Sequence, residues 1–321
     1  MRLFTPLSAL VASLASQAMA EVPRVAVDIA PVHGLVSRVM DGVGEPDMVV
    51  PLSASVHSFD LRPSAAAALE AAEVVFWIGP ELTPWLEKSV RTLAADASVT
   101  VLLELEETQV LPLRDEHAFE QDDDQEHHDD HAEHDEHASH NDQDGQHDHD
   151  HSGSDPHAWL SPENAEHWLD EIAAILSDAD PDNAAAYAAN ADAGKAEIRN
   201  AVVKASARLE DVGRVRYLVH HDAYQYFENR FGLSPVGAVT LGDAAAPGPE
   251  RVSEIQEHLQ AHAVDCFLVE PQQVTSLARV ISADNNLPIR SIDPLGADLE
   301  LGTGFYTALL ADMTKSFADC K

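Results

Sequence analysis

Short apolar runs alternate with longer amphipathic stretches twice along this chain, and no other feature constrains its fold as strongly. Residues 25–29, 48–51, 74–78 and 99–103 read as buried strands, with helical patterns over 63–72 and 82–94 between them. The pattern returns after residue 213. Strands are predicted at 217–219, 236–241, 266–269 and 289–292, and helices at 249–263, 274–284 and 304–318. Nearly continuous apolar strands separated by helices require a parallel sheet covered on both faces. The fold class is therefore α/β: two lobes, each a mainly parallel sheet flanked by helices.

The two halves are joined by helical sequence. One helix is predicted to start at Pro162, with Ser161 as its N-cap, and to run to about residue 177. Asp180 and Pro181 then open an alanine-rich pattern to about residue 211 with no internal proline. Unbroken, it spans on the order of 45 Å and is rigid enough to hold two lobes apart. The expected organisation is an N-terminal lobe over 21–178, a linking helix over 179–212 and a C-terminal lobe over 213–321, with a cleft between the lobes.

Residues 115–153 break this pattern. They hold ten histidines and sixteen acidic residues, no lysine or arginine, and Phe119 as the one large apolar side chain. Such a segment cannot bury enough apolar area to offset its ordering entropy, so it reads as a disordered loop inserted in the N-terminal lobe. It carries −16 of a formal charge of −37. A chain this acidic repels phosphate backbones, which argues against a nucleic-acid partner, and it concentrates cations.

Residues 1–20 read as a signal peptide: Arg2 is followed by a short apolar stretch and a small-x-small site, Ala18-Met19-Ala20. Cleavage after Ala20 leaves Glu21 first, with no cysteine there to carry a lipid. No later run reaches the roughly 18 apolar residues of a membrane span. The expected product is exported, soluble and monomeric. With only two cysteines, a cysteine-built zinc finger or iron–sulfur cluster is excluded. In an oxidising compartment Cys266 and Cys320 are expected to pair as a disulfide.

Eight histidines lie outside the acidic segment: His33, His57, His157, His167, His220, His221, His258 and His262. His57 follows a predicted strand by several residues and precedes the helix opened by Pro63. His157 stands just before the helix at Pro162, and His220 and His221 end the first strand of the second lobe. Three distant segments thus deliver imidazoles to element ends facing the cleft, where a scaffold holds ligands yet leaves them open to solvent. Neutral imidazoles suit zinc. His33, His167, His258 and His262 read as helical, the last two an i,i+4 pair on a surface.

The stretches SVHSFDLRPS (55–64), FWIGPELTPWLEKS (76–89), SDPHAWLSPENA (154–165), HDAYQYFENRFGL (221–233) and DPLG (293–296) occur in this order. Together they resemble the zinc-specific solute-binding proteins of ABC transporters, the ZnuA-like family. The likeness covers nearly the whole mature chain, including the histidine-rich insertion and the two late cysteines. It implies a non-enzymatic periplasmic receptor that holds Zn2+ between two lobes and delivers it to an inner-membrane permease driven by a cytoplasmic ATPase. Carried over residue by residue, the family's metal-binding histidines fall on His57, His157 and His221. His221 is preferred to His220 because it directly precedes Asp222-Ala223-Tyr224, and adjacent strand residues point to opposite faces. Some relatives have a glutamate immediately before the first ligand, where this chain has Val56. The fourth position is then water or Asp293, which resembles the aspartate of related metal receptors; Asp293 is the expectation, because a carboxylate offsets part of the ion's charge. Its structural alternative is a turn before Pro294. Related manganese receptors place a glutamate where His221 stands, so three imidazoles argue for zinc.

In the acidic segment, His127, His128, His131, His134, His137, His140, His147, His149 and His151 are expected to form weak, exchangeable zinc sites. The alternative is a solvated linker without a metal role. A string such as HDHDH at 147–151 superficially resembles a binuclear hydrolase motif, but catalytic ligands need rigid support. Two other classes compete with transport: an exported zinc-dependent hydrolase using the same three histidines, and a periplasmic metal buffer.

Overall fold

The computed structural model describes residues 22–52, 54–57, 59–114, 153–241, 247–273 and 275–321. The predicted signal peptide and nearly all of the predicted loop lie outside the described residues. The first half runs β1 (Val25–Val27), α1 (Ala30–Val39), β2 (Asp47–Met48), α2 (Pro63–Ala71), β3 (Val74–Trp77), α3 (Pro84–Leu93) and β4 (Ser98–Val101). A 3-10 turn (Ala158–Leu160) then leads into α4 (Pro162–Ala179), and another (Pro181–Asn183) into α5 (Ala184–Val212). The second half runs β5 (Tyr217–His221), α6 (Gln225–Phe231), β6 (Gly237–Thr240), α7 (Pro249–Ala261), β7 (Cys266–Val269), α8 (Ser276–Asn285), β8 (Ile289–Ser291) and α9 (Phe305–Ala318).

Each half carries a parallel sheet of the same winding: β2-β1-β3-β4 in the first, β6-β5-β7-β8 in the second. Val25, Ala26 and Val27 of β1 pair with Val74, Val75 and Phe76 of β3, and Tyr217, Leu218 and Val219 of β5 with Cys266, Phe267 and Leu268 of β7. These central strands are wholly buried, as apolar runs covered on both faces must be. In both sheets the order reverses beside the first strand, which opens a crevice outside the carboxyl ends of the strands.

Proline sets the start of α2, α3, α4 and α7, where its missing N–H costs nothing. Ser161 caps α4, its hydroxyl accepting from Asn164 N–H at 3.2 Å, as its position before Pro162 predicted. The long helical pattern is interrupted at once by the 3-10 turn, so α5 itself has 29 residues. Its buried positions, Tyr187, Ala191, Gly194, Ile198, Val202, Ala205 and Leu209, recur three or four apart and form one narrow stripe. The stripe lies against α1 and α4 at one end and α9 at the other. At Gly194 a Cβ would stand 2.9 Å from Leu169 Cδ1 and 3.0 Å from Arg38 Cγ, so glycine permits this approach.

The helix is not alone in joining the halves. α9 returns to pack on α1 and α5, and the main apolar core runs through both halves without a break. A smaller cluster around Leu218, Phe267 and Ile281 fills the far side of the second sheet. Cys266 on β7 and Cys320 after α9 form the expected disulfide, both buried, with Cα atoms 5.2 Å apart. Closing a loop of this length is worth about 4 kcal/mol on the chain-entropy model. No helix among the described residues is long and apolar enough to cross a membrane.

Candidate metal centre

Among the described residues, His57, His157 and His221 form the group able to hold a metal ion, one ligand atom of each lying within 4.8 Å of the others. Their rings are 5.9 Å (His57–His157), 5.6 Å (His57–His221) and 5.0 Å (His157–His221) apart between centroids. Three imidazole nitrogens on a tetrahedral zinc ion stand about 3.3 Å apart, given bonds of about 2.0–2.1 Å. The cluster is therefore close to ligating geometry.

Each imidazole is held differently. His57 lies in an irregular stretch between β2 and α2, nine residues past the short strand β2 rather than at a strand end. The indole N–H of Trp85, on α3, donates to the carbonyl of Val56 at 2.8 Å, and Phe59 packs edge-on against the same indole at 5.6 Å. His157 is buried at the start of the turn Ala158–Leu160. Asp155 Oδ1 accepts from its backbone N–H at 3.0 Å and lies 2.7 Å from its Nδ1. The neighbouring Trp159 donates its indole N–H to Pro294 C=O at 2.8 Å, and Tyr306 donates to Trp159 C=O at 2.7 Å. His221 ends β5, with Glu270 Oε1 3.0 Å from its Nδ1.

Asp155 and Glu270 decide the tautomers. An ionised carboxylate only accepts, so Nδ1 of His157 and of His221 must donate, which leaves the lone pair on Nε2 for a metal. Burial pushes the Glu270 carboxyl up, but the His221 hydrogen bond and the electrostatic interaction with His221, His157 and His57 outweigh it and hold it below the usual glutamate value. Glu270 stays ionised beside the cluster.

His220 points away from this group. Its ring stacks on Phe267 at 6.2 Å, and its Nδ1 has no hydrogen-bond partner among the described residues. Burial holds its pKa down. Asp293 stands outside the three-histidine group: Oδ1 accepts from Leu295 N–H at 2.9 Å and Oδ2 from Ala297 N–H at 2.7 Å, an Asx turn. Burial raises its pKa, which those backbone N–H groups partly offset. His33 meets Ser37 within α1, and His167 pairs with Glu107 at 3.8 Å. His258 lies on α7, but His262, read as helical, stands just past the end of that helix in extended backbone, where its ring stacks on that of His258 at 4.1 Å. His127, His128, His131, His134, His137, His140, His147, His149 and His151 lie outside the described residues.

Sequence reasoning missed Asp155, Glu270 and Arg114. Arg114 lies against His221's neighbour, its Nε donating to Asp222 Oδ2 at 3.0 Å. The signals were an aspartate two residues before a candidate ligand, an acid directly after the buried strand FLV, and the last basic residue before the acidic run.

Residues 25–320 match the family model described as zinc-uptake complex component A, periplasmic. The chain belongs to this family. Among curated members, the high-affinity zinc uptake system protein ZnuA of Paracoccus denitrificans is 40% identical, covering 98% of this chain and 96% of its own length. The protein of that name from Brucella abortus is 35% identical, covering 92% and 91%. A crystal structure of ZnuA superposes with a TM-score of 0.73 at 19% identity over 94% of this chain and 99% of that one. A deletion mutant of ZnuA with zinc bound gives 0.71 at 18%, over 94% and 98%. At such identity these two structures speak for the fold alone. The family is one of solute-binding receptors rather than enzymes.

Proposed function

We propose that this chain is the periplasmic receptor of a high-affinity zinc importer, holding one Zn2+ on His57, His157 and His221 and handing it to an ABC permease powered by a cytoplasmic ATPase. The convergence of three imidazoles from three distant segments is the observation that carries this reading. Three nitrogen donors favour zinc over manganese, which prefers oxygen-rich shells. Each Asp293 oxygen accepts one backbone N–H of its own turn and keeps a lone pair for a metal, but Asp293 stands outside the three-histidine group, and on that ground we assign the fourth position to water rather than to Asp293. If Asp293→Asn lowered affinity by more than about tenfold, the size of effect expected of a group at a metal site, Asp293 would replace that water.

The zinc ion is cargo, so the site must release as well as hold. Imidazole ligands suit both tasks, because they are neutral and tolerate exchange better than a cage of thiolates. Glu270 and Asp155 supply negative charge behind the ring nitrogens without closing the coordination shell.

The acidic segment in this reading adds weak sites that raise the local zinc concentration, and the chain is exported as a monomer with Glu21 at its start. Calorimetric zinc titration of the full chain, of a 115–152 deletion and of a triple variant with alanine at 57, 157 and 221 tests the whole. One tight site survives the deletion and disappears in the triple variant, while the weak stoichiometry follows the acidic segment. Tight binding in the triple variant lacking residues 115–152 would overturn the proposal.

A further inference from the structure

Residues 111–114 and 153–155 form a paired neck at the base of the acidic segment. Pro112 and Ser154 make an antiparallel bridge, Leu113 N–H donates to Gly153 C=O at 3.0 Å, and Asp155 N–H to Leu111 C=O at 2.8 Å. These bonds leave Leu111 N–H, Pro112 C=O and Asp155 C=O to find partners outside the neck. They find them on α6, in the other half of the chain. The Tyr226 hydroxyl accepts from Leu111 N–H at 2.9 Å and donates to Asp155 C=O at 2.7 Å, and Gln225 Nε2 donates to Pro112 C=O at 2.9 Å. At its end Arg114 grips Asp222 with two nitrogens and reaches Glu228 Oε2 at 2.6 Å. Both acids are buried, and Tyr217 donates to the other oxygen of Glu228 at 2.8 Å.

The route through these contacts is closed. It runs from His157 to Asp155, along the neck to Arg114, and from Arg114 to Asp222, the residue after His221. His157 and His221 come from different halves, yet their rings are the closest pair of the cluster, at 5.0 Å. A planar fork that binds a carboxylate with two nitrogens fixes orientation as well as distance, which lysine cannot do.

We propose that Arg114 is a positioning residue of the metal centre: through Asp222 on one side and the neck and Asp155 on the other, it sets the spacing of His157 and His221. This rests on the zinc reading above. Arg114 touches no metal. It acts on the rate at which the ion leaves, because a site whose ligands drift apart loses metal without losing its fold.

The test uses the full chain, charged with zinc and mixed with excess chelator in a stopped-flow instrument, and separately loaded with Co2+ for its visible spectrum. The parent protein comes first: failure to bind zinc tightly there sinks the zinc reading itself. If the parent binds, Arg114→Lys is expected to release zinc about tenfold faster, in the range of changes to groups that orient metal ligands, and to alter the Co2+ bands. Arg114→Gln strands two buried acids and lowers thermal stability; the double variant Arg114→Gln, Glu228→Gln, in which only Asp222 stays stranded, is expected to recover part of the stability but not the slow release. A folded Arg114→Lys protein with parental release and spectrum would overturn the proposal. Recovery of slow release in the double variant would also overturn it, reducing Arg114 to charge compensation.

Discussion

Glu270 Oε1 and His221 Nδ1 stand 3.0 Å apart although 49 residues separate them in the chain. The contact joins the carboxyl end of β7 to that of β5, neighbouring parallel strands, and Tyr224 donates to the same oxygen at 3.3 Å. It turns a flexible imidazole into a ligand with one tautomer and one orientation.

Replacing Glu270 therefore weakens zinc without touching a ligand. Glu270→Gln keeps an acceptor but removes the charge, and a loss of about tenfold is expected; Glu270→Leu removes both, and the loss approaches about a hundredfold. Competition against a chelator of known strength reads both. Parental affinity in the leucine variant would show that His221 needs no partner.

His220 and His221 are both buried and adjacent, but only His221 faces the cluster. His221→Ala is expected to cost more than the roughly hundredfold that an orienting partner is worth, while His220→Ala stays within a few-fold of the parent. The same competition assay separates them. Equal losses would mean that β5 can present either ring.

The fold was readable because its determinants are local. Apolar runs flanked by proline-initiated helices placed all eight strands to within about three residues, within the usual uncertainty of element ends. α6 went unread because its seven residues hold no repeating period long enough to register. His157 and His221 could be located at element ends, whereas His57 lies in an irregular stretch far from the end of β2, and selecting His221 over its neighbour needed the family motif. Asp155, Glu270 and Arg114 were invisible for a physical reason: each works through a partner chosen by strand order and by the docking of the neck on α6, and neither leaves a period in the sequence.

Proton competition sets the pH dependence of binding. A ring must be neutral to ligate, so protons compete with the ion for the ring nitrogens and zinc affinity falls as the solution is acidified. With three rings involved, the fall steepens toward three protons per ion released. Titrations from pH 5 to pH 8 in weakly coordinating buffers check this; an affinity that holds through that range would argue against imidazole ligation.

Trp85 reaches His57 through the backbone. Its indole N–H is bonded to the carbonyl of Val56, so Trp85→Phe keeps the ring packing with Phe59 while deleting one hydrogen bond worth about 1 kcal/mol. Zinc release is expected to quicken a few-fold, with the metal-free melting midpoint hardly changed. A release rate equal to that of the parent would mean that the stretch around His57 is held elsewhere.

Asp28 gives the metal-free protein a pH dependence of its own. Its carboxyl follows β1, accepts from Ile29 N–H and Ile78 N–H, both at 2.8 Å, and is buried. Burial pushes its pKa up to about 7, against the lowering effect of those two N–H groups. The unfolded chain releases this proton near pH 4, so between about 4 and 7 the folded state holds more protons and stability declines as pH rises. Glu228, raised by burial to about 7 despite Arg114, adds to the decline in the same sense. Asp28→Asn cannot titrate, and its amide nitrogen cannot accept, so one backbone donor loses its partner at a cost of about 1–3 kcal/mol. The variant should therefore be less stable than the parent at pH 4, and the gap should narrow as the pH approaches 7 and the parent loses its own advantage. Denaturant unfolding at several pH values, with chelator present to keep zinc away, measures the gap directly. A gap that stays constant from pH 4 to pH 7 would mean that Asp28 is ionised throughout and that its two amide donors hold the charge in place.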